Sequence, residues 1–473
     1  MSYPLHLTLR TRRRFLLGLL ATSALAPASG VQSQTQPAAA VTEPPSRKVP
    51  LRVATLSNGL RLLCRTNDSS EMVSVVCQVR AGLPDEREEQ AGLAALTAEA
   101  ILMGTTTHSA HAFSSAVIQA GGDLRTLPGF DLTEVSAVCD KSQFNLALKL
   151  VADVVAHPSL TEEQVTEART ALKQRISRFE EDFTGASYQA LMGQLYPNTP
   201  YGRPINGLPE SLDRLKAADV RKFWQEHYLQ NRMVVAIVGD VDSSKALEMA
   251  QKAFQTVPWK PTGVAVPAAT EASGKAKTEL LQRPGPAAQL MVGYRTPGVT
   301  RDNYPVYAVI DAIVGGGKRG RLFTNIREKH SLGYQLGSFY QPLLLQSHLV
   351  GYVITPPYRR NPRTEQKESL IDLVKTHLLA QYLDLAATGP SDQELARARN
   401  YVIGRYALRM ERTRDQAKWL AWNSAMGLGS DFDDYFNRRV ATVTKEQVQA
   451  AAKALAGQQA LVITLPEEVQ PER

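Results

Sequence analysis

With 473 residues, 43% apolar and 21% charged, the chain is too apolar for wholesale disorder and longer than a single hydrophobic core usually grows. Its formal charge of +8 falls to +4 once the four arginines of the first 28 residues are set aside, and the remaining Lys and Arg are scattered, which argues against a nucleic-acid partner. Three cysteines, Cys64, Cys77 and Cys139, with no Cys-x-x-Cys pair among them, exclude both a disulfide scaffold and a thiolate zinc site.

The N-terminus reads as an export leader over residues 1–28. Thr11-Arg12-Arg13-Arg14-Phe15-Leu16 precedes an apolar run, Leu16 to Ala26, too short to span a bilayer core of about 30 Å as a helix. An Arg-Arg pair directly before Phe-Leu is a twin-arginine signal, an address read by a receptor, and small residues around Ala26-Pro27-Ala28 suit cleavage. Residues 29–50, rich in Gln, Ala, Pro and Ser, form a tether. No later stretch has the length and apolarity of a membrane span, so a periplasmic protein is expected.

Past the tether, strands and helices are interspersed. Val53 to Arg65 and Met72 to Arg80 are β-branched, alternating runs whose connection, Asn67-Asp68-Ser69-Ser70, signals a hairpin. Across it Cys64 and Cys77 either face each other or are two buried thiols. Helices are expected over 92–102, 111–120, 161–180, 186–195 and 217–227, with strands at 133–139 and 233–239.

The order then repeats. Thr161-Glu162-Glu163-Gln164-Val165 with Ala168-Arg169 matches Ser391-Asp392-Gln393-Glu394-Leu395 with Ala398-Arg399 at an offset of 230, and Leu215 to Val220 matches Val443 to Val448 at 228. A fixed spacing of this kind signals a tandem of one domain. The boundaries read as 51–257 and 278–473 around a Pro/Ala/Thr/Gly linker, 258–277. Each half is expected to be α+β, a mainly antiparallel sheet covered by helices.

Several segments in this order resemble the pitrilysin (insulinase-like) zinc metallopeptidases, in particular the mitochondrial processing peptidase branch. They are Leu56-Ser57-Asn58-Gly59-Leu60, Gly92-Leu93-Ala94 through Met103-Gly104-Thr105, Pro200-Tyr201-Gly202, Tyr228 with Asn231, and Val238-Gly239-Asp240-Val241. Arg321-Leu322-Phe323 through Arg327-Glu328-Lys329 and Gly333-Tyr334 complete the set. The resemblance spans about residues 51 to 470 and implies two homologous insulinase-like domains.

In that family the helix framed by Gly-Leu-Ala and Gly-Thr carries His-x-x-Glu-His, two imidazoles on one helix face with a Glu placed to take a proton from metal-bound water. Those positions here read Ala95, Ala98 and Glu99. The third family ligand closes a Glu-x6-Glu pattern, which here is Glu167 followed by Gln174, a neutral amide and a poor zinc donor. No zinc is therefore expected in this chain. His108 and His111, two histidines without a third donor, are not expected to rebuild a metal site, and His157, His227, His330, His348 and His377 show no ligand spacing.

Arg327 and Tyr334 survive, seven residues apart where a helix ends and a strand begins. The resemblance implies that such a pair holds the scissile peptide. A guanidinium offers donors to substrate carbonyls, and a phenol can donate to a developing oxyanion. Gly315-Gly316-Gly317 resembles, in shorter form, the glycine-rich substrate loop of the non-catalytic processing-peptidase subunit, and Lys318, Arg319 and Arg321 either adjoin that loop's substrate side or form a solvated turn; no Lys-Ser or Lys-Thr follows in the register of a phosphate loop.

The expected protein is thus the non-catalytic, substrate-binding subunit of a heteromeric periplasmic zinc endopeptidase. Its Arg327 and Tyr334 would act on peptides or unfolded segments across a site whose zinc lies in a homologous partner subunit. The alternative is a structural or chaperone-like pseudopeptidase with no peptidase partner. An independent hydrolase finds no support, since no Gly-x-Ser-x-Gly elbow is present.

Overall fold

A computed structural model describes residues 50–260, 278–285, 287–360 and 365–467. The leader, the rest of the tether to residue 49 and linker residues 261–277 lie outside the described residues. The first half comprises β1 (Arg52–Thr55), β2 (Arg61–Thr66), β3 (Met72–Val79), α1 (Leu93–Ala100), α2 (Ala110–Gln119), β4 (Asp123–Pro128), β5 (Thr133–Asp140), α3 (Phe144–Ala156), α4 (Glu162–Glu181), α5 (Phe183–Leu195), α6 (Pro209–Arg214), α7 (Ala217–His227), β6 (Met233–Gly239) and α8 (Ser243–Phe254). The second comprises β7 (Thr278–Arg283), β8 (Ala288–Pro297), α9 (Asn303–Gly315), a π-helix (Leu322–Glu328), β9 (Gln335–Gln341), β10 (Gln346–Thr355), the short β11 (Tyr358–Arg360) and β12 (Lys367–Ser369), α10 (Ile371–Thr388), α11 (Asp392–Arg409), α12 (Thr413–Ala425), α13 (Phe432–Ala441), α14 (Lys445–Lys453) and β13 (Gln459–Pro466).

The strand orders are β1-β2-β6-β3-β5-β4 and β7-β13-β8-β10-β9. Leaving out β1, each sheet follows one topology. The first strand lies parallel to the last (β2 to β6, β7 to β13) and the other neighbours are antiparallel. The repeat extends to single bonds. Thr161 with Gln164 and Ser391 with Glu394 form equivalent capping boxes. Arg169 donates to the Leu215 carbonyl at 2.7 Å, and Arg399 donates through Nε to the equivalent Val443 carbonyl at 2.9 Å. The tandem α+β architecture is therefore real.

One local expectation fails. β2 and β3 do not pair as a hairpin, because β6 lies between them, parallel to β2 and antiparallel to β3. Cys64 stands opposite Ile237 and Cys77 opposite Val235, so β6 separates them and both are free, buried thiols. The true hairpin is β1–β2, closed at Leu56 to Gly59 with Gly59 at φ +85°. Asn58-Gly59 is the usual short-turn signal.

The halves also exchange helices. α5, from the first half, packs on β8 and β13 of the second sheet, while α12, from the second, packs on β3 and β6 of the first. Leu191 and Leu195 close on Gly293, where any side chain would collide with them. On the other side Leu63, Val76, Val234 and Ala236 share one core with Ala417, Leu420 and Ala421. Each exchanged helix also brings a hydroxyl to a strand of the other half, Ser187 to Thr464 at 2.7 Å and Thr413 to Ser74 at 3.1 Å. With α12 on one face and α1, α3 and α8 on the other, β6 is buried throughout. That burial explains its unbroken apolar run, Met233-Val234-Val235-Ala236-Ile237-Val238.

Candidate functional site

The positions that carry zinc ligands in the resembled family lie where α1 meets α4. α1 is short and almost wholly buried. Its N-terminus is held by the buried Glu86, which accepts from the Gly92 and Ala94 amides at 3.1 and 2.7 Å; burial pushes that carboxyl up to about 7. Ala95 and Ala98 are fully buried and offer no donor atom. Glu99 is engaged by Arg175, whose Nη2 donates to its Oε2 at 2.6 Å, with the Glu99 side chain only 15% exposed. Arg175 follows Gln174 on α4, and both border a shallow depression of about 450 Å3 completed by Ala171, Arg178, Phe179 and Asp182.

A divalent metal does not fit this donor set: two methyl groups, an amide, and one carboxylate already bonded to a cation. A guanidinium supplies the positive charge against Glu99. Among the described residues no group of three or more His, Cys, Asp and Glu side chains converges as a metal site. His108 does not pair with His111. It joins His157 on Asp153, each Nδ1 within 3.2 Å of that carboxylate, together with the hydroxyls of Thr105 and Thr107.

The second half holds a counterpart. By the repeat offset Arg175 corresponds to Arg405 on α11, and α1 corresponds to α9, which carries the partly buried Asp311. Burial pushes the Asp311 carboxyl up to about 6, while contact with Ser338 and the nearby guanidiniums of Arg405 and Arg409 draw it down. Each half thus carries an acid on this helix near an arginine of the α4-type helix, bonded directly in the first half and acting at longer range in the second. Sequence reading passed over Arg175, although Ala171, Gln174, Arg175 and Arg178 follow the i, i+3, i+4, i+7 spacing of one helix face.

Arg327 and Tyr334 lie where their spacing placed them, in the last turn of the π-helix and immediately before β9. The connection is tightly shaped. Ser331 has φ +54°, and Gly333 has φ +118° at a point where a Cβ would meet Val353 at 2.7 Å. Arg327 Nη1 donates to the Tyr334 carbonyl at 2.7 Å, and the Tyr334 amide donates to the Ile354 carbonyl at 3.1 Å. These bonds hold the Tyr334 backbone while its side chain stands 49% exposed. The phenol itself makes no hydrogen bond to any described residue.

Gly315, Gly316 and Gly317 are required within the chain. A Cβ on Gly315 would lie 2.3 Å from the Ser338 amide nitrogen, one on Gly316 2.2 Å from the Ala312 carbonyl, and Gly317 adopts φ +66°. Lys318 and Arg319 are exposed, but Arg321 is not part of a solvated turn. It clamps both oxygens of Glu394 at 2.7 and 3.1 Å. Pro200-Tyr201-Gly202 serves to join the halves. Its buried Tyr201 hydroxyl contacts Asp131 and accepts from the Leu345 amide at 3.1 Å. Burial pushes the Asp131 carboxyl up to about 6.

A tandem α+β body in which alanines and an acid–arginine pair occupy the positions of the resembled family's zinc ligands defines a peptidase-like class of chain. Two family models match in succession, "Insulinase (Peptidase family M16)" over residues 61–207 and "Peptidase M16 inactive domain" over residues 214–402. An uncharacterized zinc protease of Streptomyces coelicolor is 26% identical over 419 residues, 86% of this chain and 87% of that one. The uncharacterized zinc protease YmxG of Bacillus subtilis is 23% identical over 404 residues, 85% and 94% of the two chains. Among solved structures, a protease from Helicobacter pylori matches with a TM-score of 0.78 at 18% identity, covering 89% of this chain and all of that one. A peptidase M16 inactive domain from Pseudomonas fluorescens matches at 0.77 and 20%, again covering 89% of this chain. At such identities the structural likeness bears on the fold alone. The chain belongs to the insulinase family, peptidase family M16.

Proposed function

We propose that this chain is the non-catalytic, substrate-binding subunit of a heteromeric zinc endopeptidase, exported to the periplasm, which presents Arg327 and Tyr334 to a peptide bond whose zinc belongs to a homologous partner chain. The observation that carries the reading is a contrast between two sites. At Ala95, Ala98, Glu99 and Gln174 the one charged group, Glu99, is already paired inside the chain, whereas the Tyr334 phenol is exposed, backbone-anchored and bonded to no described residue. A phenol in that condition is free to donate to an oxyanion without first breaking an internal bond. Gly315 to Gly317, beside Tyr401 of α11, would border the same substrate path. Among the described residues no helix is long and apolar enough to cross a membrane.

One observation favours the alternative, a structural or chaperone-like pseudopeptidase. Arg327 already spends a donor on the Tyr334 carbonyl, a role that needs no substrate. The test is reconstitution with a zinc-bearing relative that copurifies. That partner alone should be nearly inactive and should gain peptidase activity when this chain is added. Tyr334→Phe should then lower kcat by about 10²–10³, the usual effect of losing an oxyanion donor, with the complex intact on gel filtration. Full activity with Tyr334→Phe and with Arg327→Ala would leave the pair a purely structural role.

A further inference from the structure

The depression on α4 has donors in excess. Arg175 gives one Nη to Glu99, and Arg178 gives Nε to the Gln174 carbonyl at 3.3 Å. Their remaining N–H groups meet no carboxylate among the described residues. Asp182, the one acid among the described residues lining the depression, accepts from the Thr184 amide at 3.2 Å as the N-cap of α5. Gln174 adds an exposed amide, and Phe179, 38% exposed, adds an apolar wall. Glu99 pairs with Arg175, and Asp182 makes its hydrogen bond to its own helix rather than to Arg178, so among the described residues Arg178 has no carboxylate partner. A volume of about 450 Å3 suits one or two residues of a peptide rather than a bare ion.

We infer that this depression is a peptide subsite that takes a carboxylate, with Arg178 as the principal anchor and Phe179 as the floor for the adjoining side chain. Guanidinium forks match carboxylates bidentately, which single out an acid from its isosteric amide. The carboxylate is either a peptide C-terminus or an Asp/Glu side chain. The subsite needs neither zinc nor a partner, so it stands or falls separately from the role proposed for Arg327 and Tyr334.

The isolated full chain is titrated, by fluorescence anisotropy, into three short Gly/Ala/Ser peptides carrying an uncharged BODIPY label: one without acids and amidated, one with a free C-terminus, and one amidated with a single internal Glu. One or both acidic probes should bind about tenfold tighter than the neutral one, and whichever does so identifies the source of the carboxylate. Raising salt should weaken that preference, because the site is exposed. Arg178→Gln, a change at an exposed position, should erase the preference while circular dichroism and thermal unfolding stay unchanged. The double variant Glu99→Gln with Arg175→Gln removes the neighbouring ion pair without stranding a charge and should reduce the preference partially. Equal affinity for all three probes, absence of binding, or a preference that survives both variants would overturn the assignment.

Discussion

If Arg175 stands in for a metal's charge, its pairing with Glu99 should appear as a coupling energy. Arg175→Ala would leave a carboxylate that is only 15% exposed and sits beside the methyl groups of Ala95 and Ala98. Stranding a charged acceptor in such surroundings costs about 1–3 kcal/mol, and the lower end applies because Arg175 is itself 44% exposed and water reaches the gap. Glu99→Ala removes the acid along with its desolvation cost and frees an exposed arginine, so it should be nearly neutral. The double variant should resemble Glu99→Ala alone and give a coupling of about 1 kcal/mol. Urea unfolding of the four proteins, with a common slope across the series, measures it. Additivity within about 0.3–0.5 kcal/mol would refute the reasoning, since the contact would then be an incidental surface pair.

Two further outcomes test the architecture. Leu420→Ala, in α12 at 1% exposure, should cost about 2–5 kcal/mol, the usual penalty for a core cavity, and should destabilise both halves in one transition because α12 covers β3 and β6 of the first sheet. Limited proteolysis showing an undisturbed first half would contradict the helix exchange. His348 is fully buried between the Tyr188 and Tyr196 hydroxyls, at 2.8 and 3.1 Å, and burial lowers its pKa from 6.5 to about 3. The unfolded chain therefore binds the proton first, and stability falls as pH drops below 6.5. The loss at pH 5 is about 2 kcal/mol for this group. Burial raises Glu86 and Asp131, which act with the opposite sign over overlapping pH, so the observable is the difference between wild type and His348→Gln. Identical acid profiles in the two proteins would exclude His348 as the source.

The sequence alone disclosed the duplication, because equivalent capping boxes and arginines recur at a fixed offset and each depends on local chain geometry. It showed that Ala95, Ala98, Glu99 and Gln174 stand where the resembled family carries its zinc ligands and base, because residue type is read directly from the chain. It also located Arg327 and Tyr334 at a helix end and a strand start, a matter of short-range periodicity. Other features are set by residues far apart in the chain. β6 separates Cys64 from Cys77 because a strand more than 150 residues away pairs between theirs, and no local turn signal encodes that. Arg175 reaches Glu99, and α5 and α12 change places, only after helices and sheets have packed. An amphipathic pattern says that a helix must bury a face but leaves open which sheet receives it. Charge complementarity and apolar burial between distant segments make that choice in three dimensions.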